Sequence, residues 1–151
     1  MSLQYVPGEA NLGSVSTLGI VRWDPASSSC VPLPSVVDQA GKTVTAQINH
    51  LSTFQLAQLA PQANTANSRI FPNPLYKTRN GFFTFDRMPA NTRIRIYTLH
   101  GGEVHETTTN ASGVATWDAT NKAGRPVASG LYIAVIESGG TKKKSKLVVI
   151  R

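Results

Sequence analysis

Apolar and polar residues alternate with a period of two along most of this chain, and that pattern predicts strands rather than helices. In the first part the alternation is clear in Leu18-Gly19-Ile20-Val21-Arg22-Trp23, in Thr43-Val44-Thr45-Ala46-Gln47-Ile48 and in Thr53-Phe54-Gln55-Leu56. Further on it predicts strands at residues 69–71, 81–85, 93–99, 103–108, 113–117, 131–137 and 143–150. Helical periodicity is weak, and its best candidate, residues 54–59, is only six residues long.

The later strands are separated by turn-forming runs: Asn-Gly, His-Gly-Gly, Asn-Ala-Ser-Gly and Ser-Gly-Gly. Seven short strands so punctuated predict an all-β fold, an immunoglobulin-like antiparallel β-sandwich over residues 69–151 behind a small N-terminal β module. In Arg93–Tyr97, Ile94 and Ile96 take one face and Arg93, Arg95 and Tyr97 the other. Trp117, Tyr132, Ile133 and Val135, or their neighbours, are expected in the core. Alternation sets Tyr132, Ala134 and Ile136 against Leu131, Ile133 and Val135, so only one of these sets is fully central. Asp118 is expected to cap the turn after Trp117.

Charge sharpens the division. Residues 1–60 hold two basic side chains, Arg22 and Lys42, against three acidic ones, whereas residues 61–151 hold thirteen against five. The stretch Ala60-Pro61-Gln62-Ala63-Asn64-Thr65-Ala66-Asn67-Ser68 lacks apolar periodicity and has the composition of a connector. The expected organisation is a module at 3–59, a linker at 60–68 and a sandwich at 69–151. The single cysteine, Cys30, excludes an intramolecular disulfide and a thiolate-rich metal site. No apolar run is long enough for a transmembrane helix. The opening MSLQYVPGEA has no secretory-signal pattern and reads as a start codon with leader residues ahead of a fragment.

The last thirty-five residues are the most informative. They run from a Trp-Asp corner through a Gly/Pro-rich connection into LYIAVIE, a Ser-Gly-Gly turn and a final β-branched strand. The final strand should pair along its length with residues 131–137 through Ser138-Gly139-Gly140. Gly130 is expected to take a backbone conformation closed to other residues. The run Lys142-Lys143-Lys144-Ser145-Lys146 has no interleaved aromatic residues, which argues against a single-stranded nucleic-acid platform. Lysines at an exposed edge instead block unwanted strand pairing, although the same edge is where a partner adds a strand.

Phe71-Pro72-Asn73-Pro74, RIRIYTLHGGEV from Arg93 to Val104, the segment GVATWDATNKAGRPVASGLYIAVIESGG and the Lys-rich last strand occur in that order. Residues 69–151 thereby resemble the C-terminal sorting domain of the type IX secretion system, and are similar to the immunoglobulin-like domain of flagellar hook-capping proteins. The resemblance implies a bacterial cargo's C-terminal signal, read by the outer-membrane export machinery and often removed when cargo is attached to the surface. It implies partners in that machinery and in upstream cargo domains, and a secreted or cell-surface location reached through the periplasm and outer membrane; no nucleic-acid partner and no cofactor are expected. Gly130, Tyr132, Lys142, Lys143, Lys144, Lys146 and Arg151 are the residues expected to carry sorting or recognition.

One motif in the first module carries possible chemistry. In His50-Leu51-Ser52, the Ser52 hydroxyl could attack the Leu51 carbonyl while His50 takes its proton, giving an ester open to hydrolysis. Arg22-Trp23-Asp24, Cys30 and the run Ile48–Leu56 resemble the proteolysis-site module of adhesion-type receptors, except that its paired cysteines are missing. The competing reading is an ordinary connection between two strands, with an intact chain and no catalysis.

Other constellations are thin. His100 and His105 with Glu103 and Glu106 suggest zinc, but on a regular strand Glu103 and His105 share a face that Glu106 does not. Asp118 with Asn121 supplies one carboxylate where calcium needs several oxygens. No phosphate-binding loop, nucleophile elbow or glycosidase pair is visible. Three function classes remain: a non-catalytic export and anchoring module, which the resemblance favours; a self-processing module cutting Leu51–Ser52; and a carbohydrate- or matrix-binding sandwich, for which aromatics are scarce.

Overall fold

The structure, a computed structural model, describes residues 1–6, 14–25, 28–48, 51–78 and 81–151. The chain divides into two compact units, Met1–Ala60 and Pro61–Arg151.

The first unit contains β1 (Ser2–Gln4), a 3-10 turn at Val15–Thr17, β2 (Leu18–Asp24), β3 (Ser29–Pro32), β4 (Ser35–Asp38), β5 (Thr43–Ala46) and β6 (Phe54–Gln58). These form two three-stranded antiparallel sheets, ordered β1-β5-β4 and β3-β2-β6. Tyr5, Leu18, Ile20, Val44 and Ala46 make its buried core, with Leu33, Val37, Phe54 and Leu56 packed against them. The helical candidate at 54–59 is a strand, because β6 pairs residue for residue with β2 from Leu18↔Gln58 to Arg22↔Phe54. Cross-strand pairing decides the conformation of a segment too short to hold a helix by itself.

The second unit contains β7 (Arg69–Phe71), β8 (Leu75–Tyr76), β9 (Phe83–Asp86), β10 (Arg93–Thr98), β11 (Glu103–Thr108), β12 (Ala115–Trp117), β13 (Gly130–Ser138) and β14 (Thr141–Ile150). Five strands form one sheet, β11-β10-β13-β14-β8, and three form another, β12-β9-β7. Between them lies a single apolar core drawn from both, including Phe83, Phe85 and Trp117 from the smaller sheet and Ile94, Ile96, Tyr132, Ile136 and Leu147 from the larger. This is the expected all-β sandwich.

Trp117 is its centre. It is 1% exposed, stacks on Phe83 with ring centroids 5.5 Å apart, and meets Tyr132 edge-on at 5.7 Å. Its indole N–H donates to the Thr120 carbonyl at 2.8 Å, so its one polar atom is satisfied inside the core.

The pattern on β13 resolves one way. Tyr132, Ala134 and Ile136 are buried, whereas Leu131, Ile133 and Val135 are only half-buried on the opposite face. Ile133 and Val135 therefore belong to the outer surface and not to the core expected of them. Strand β8 was not expected, and its pairing with β14, Leu75↔Val149 and Tyr76↔Ile150, is parallel in a sandwich that otherwise pairs antiparallel. Two prolines, Pro72 and Pro74, come just before it in sequence, which hides a strand from any propensity reading.

Residues 61–68 are held against the second unit. Gln62 N–H donates to Met88 O at 3.0 Å, Thr65 is buried, and Ser68 N–H closes a turn onto Thr65 O at 3.2 Å.

Candidate functional site

The β13–β14 hairpin is the longest ladder among the described residues, running from Gly130↔Val149 to Ser138↔Thr141. Gly139 and Gly140, with φ of 54° and 77°, form its two-residue turn, matching the left-handed geometry that a tight hairpin requires. The Thr141 hydroxyl donates to Ser138 O at 2.7 Å and fastens the same turn.

Period-two geometry sorts the residues of β14 between two faces. Leu147 and Val149 are buried in the core. Lys142, Lys144, Lys146, Val148 and Ile150 point the other way, opposite Glu137, Val135, Ile133 and Leu131 of β13. Lys143 leaves its strand sideways: its ammonium donates to Thr65 O at 3.1 Å, Ala66 O at 3.2 Å and the Ser68 hydroxyl at 2.8 Å. An ammonium carries three donors, and residues 65–68 supply an acceptor for each.

The final strand is not the open edge its lysines suggested over its whole length. From Lys146 onward it is covered. The Asn73 side chain accepts from Val148 N–H at 3.0 Å and donates to Lys146 O at 2.9 Å, reproducing both bonds of a neighbouring strand. Strand β8 then takes over, and Lys77 N–H donates to Ile150 O at 2.9 Å. Asn73 lies between two prolines whose preceding peptide bonds are both cis. Sequence reasoning noted the Pro-Asn-Pro entry but assigned it no role; an amide side chain between two residues lacking an N–H was the available signal.

The other expected recognition residues separate. Tyr132 lies in the core at 7% exposure, and its hydroxyl donates to Ala128 O at 2.9 Å. Burial raises its phenol pKa above the ordinary value. Gly130 has φ of 158° with open space where a Cβ would project, so backbone conformation and not crowding favours glycine there. Arg151 turns back onto the preceding connection, its backbone N–H meeting the Ser129 hydroxyl at 3.0 Å and its guanidinium meeting Val127 O. Lys142, Lys144 and Lys146 are the members that share a face.

That face carries a charge network. Glu137 takes both Lys142 at 2.9 Å and Arg95 at 2.7 Å, while Glu106 takes Arg93 at 2.8 Å. The Lys142 hydrogen bond, followed by that of Arg95, holds the Glu137 carboxyl below its ordinary pKa. Arg93 is correspondingly held above its own by Glu106.

The proposed metal ligands are otherwise engaged. A bulge between Ile96 and Tyr97 sets Glu103 opposite outward-facing Tyr97 and His105 opposite inward-facing Ile96, so the face they were expected to share is split. Glu103 binds Lys122 at 2.6 Å, Glu106 binds Arg93, and the His105 ring lies 6.3 Å from Trp117. Asp118 Oδ1 caps the turn by accepting from Thr120 N–H at 3.1 Å, and Asn121 Oδ1 accepts from Ala123 and Arg125 N–H, both at 3.0 Å. Among the described residues, no three His, Cys, Asp or Glu side chains gather where they could hold a metal ion.

Of the His-Leu-Ser motif, His50 lies outside the described residues. Leu51 is 94% exposed, and the Ser52 hydroxyl is turned toward Trp23 O at 3.4 Å. No helix among the described residues is long and apolar enough to cross a membrane.

Comparison with known proteins agrees with the geometry of the second unit. The family model for the secretion system C-terminal sorting domain matches residues 69–150. PorZ, described as an essential bacterial surface component of the type-IX secretion system of Porphyromonas gingivalis, has a similar fold. Its TM-score is 0.53 at 21% identity, over 74% of this chain and 14% of that one. Dimeric latent PorU from the same organism aligns over 95% of this chain and 17% of its own, at 21% identity and a TM-score of 0.41. The chain thus spans less than a fifth of either protein. No curated protein matches it. With the match covering more than half its length, the chain belongs to the type IX secretion system C-terminal sorting domain family, whose members mark proteins for export across the outer membrane to the cell surface or the medium.

Proposed function

We propose that residues 69–151 are a non-catalytic C-terminal export and surface-anchoring module, and that residues 3–59 form a β-rich stalk ahead of it, joined through 60–68. The export machinery of the outer membrane reads the module, and the upstream domains are its cargo. The observation that carries this reading is the position of β14: it builds the core through Leu147 and Val149 while presenting lysines outward. A strand that is both structural and surface-displayed lets a receptor recognise the module only when it is folded. Glu137 and Glu106 on its sheet are occupied by Arg and Lys partners.

The test attaches the whole chain, with and without Lys146–Arg151, to the C-terminus of a reporter in a bacterium that has a type IX secretion system. Truncation is expected to abolish surface display and to lower the thermal midpoint of the purified chain. Equal display of the two fusions would rule the final strand out as the signal and leave the module a stalk or binding domain.

A further inference from the structure

The outer face of the five-stranded sheet is chemically unlike an ordinary solvated face. In a sandwich, the alternate residues that face water are normally polar. Here Leu131, Ile133 and Val135 of β13 and Val148 of β14 form a contiguous, half-buried aliphatic strip, since Leu131 pairs with Val148. Lys144 stands directly across from Val135, and Lys146 across from Ile133. The other cations on this face have carboxylate partners: Arg93 with Glu106, and Arg95 and Lys142 with Glu137. Lys144 and Lys146, both exposed, have no carboxylate within salt-bridge distance among the described residues.

We infer that this face docks a protein surface that presents carboxylates around an aliphatic centre, and that Lys144 and Lys146 are the side chains that pair with it. The inference rests on the export reading and names the contact surface that the machinery would use. Charge selects the occupant. A second copy of this chain would set unpaired lysines against unpaired lysines, which opposes self-association. A membrane surface is engaged by protruding aromatic anchors, whereas of the two tyrosines on this face Tyr97 is half-buried with the Arg95 guanidinium 5.9 Å from its centroid, and Tyr76, 40% exposed, stands beside Ile150 on β8 and away from both lysines. A recessed aliphatic strip with two rim charges instead matches the apolar centre and charged border of a protein interface.

The experiment compares whole-chain reporter fusions carrying wild-type sequence, K144R/K146R, K144E/K146E or I133T/V135T. Threonine keeps strand propensity while removing apolar surface. The purified variants are first melted, so that only chains folding like wild type are scored. Wild type and K144R/K146R should be displayed equally. K144E/K146E and I133T/V135T should each fall at least tenfold. Failure of the wild-type fusion to be displayed would overturn the export reading and this inference with it. Normal display of wild type together with K144E/K146E would overturn the inference alone. Purified wild-type chain is also mixed with phosphatidylglycerol vesicles; binding that K144E/K146E abolishes would assign the face to a lipid surface and overturn the protein partner.

Discussion

Gly113 and Gly124 share a φ of 71° but have different surroundings, which makes them a matched pair. An alanine Cβ at Gly124 would have no heavy atom within 4 Å. Its cost is the left-handed backbone alone, about 1 kcal/mol. An alanine Cβ at Gly113 would lie 1.9 Å from Met88 O and 3.3 Å from Pro61 Cα. Both are backbone atoms, so no rotamer change relieves the clash. Met88 O also accepts the Gln62 N–H, so moving it disturbs the anchoring of residues 61–68. Overpacking of this kind adds roughly 1–3 kcal/mol, for a total of about 2–4 kcal/mol in Gly113→Ala. At roughly 4–8 °C per kcal/mol for a domain of this size, Gly124→Ala should lower the midpoint of the second unit by about 4–8 °C and Gly113→Ala by at least twice as much. Thermal melting of the full chain, followed by the near-ultraviolet dichroism of packed Trp117, reads both. Equal midpoints for the two variants would refute the close approach of Met88 to Gly113.

Asn73→Ala should leave Val148 N–H and Lys146 O without their side-chain partner, costing about 1 kcal/mol and raising amide exchange at Val148 severalfold; Asn73→Asp keeps the acceptor and should preserve protection at Val148, and unchanged exchange in the alanine variant would refute the strand-substituting role. Glu137 has a depressed pKa in the folded chain through Lys142 and then Arg95, so its stabilising contribution is present above the unfolded carboxyl value of about 4.3 and is lost as pH falls through the folded value. The midpoint difference between wild type and Glu137→Gln should therefore shrink from pH 7 to pH 3, and a difference independent of pH would sink the assignment.

Much of the second unit was legible because its signals are local. Alternation and Gly-rich turns marked seven of its eight strands, and the Ile94/Ile96 face follows from period two alone. What escaped depends on contacts distant in sequence. Strand β8 has two residues beside prolines and exists only because β14, some seventy positions later, supplies its partner. The division of β13 was readable as two candidate faces, but which of them is buried depends on where Trp117 and the smaller sheet lie. The bulge at Ile96/Tyr97 moved Glu103 and His105 apart, and an insertion in register leaves no local sequence mark. Lys143 was grouped with its neighbours by charge; its three oxygen partners lie 75–78 positions upstream.

The parallel pairing of β8 with β14 has a mechanical meaning. A pull applied between the entry of the second unit and Arg151 draws β8 toward its N-terminus and β14 toward its C-terminus. Because these strands run the same way, they are loaded in opposite directions along their shared axis. The bonds between them, with those from Asn73 and Lys77, are sheared together instead of peeled one after another. Resistance to such a pull is governed by the unfolding rate and not by equilibrium stability. A few bonds at the junction of entry and exit strands thus act as a clasp on a chain drawn by its two ends.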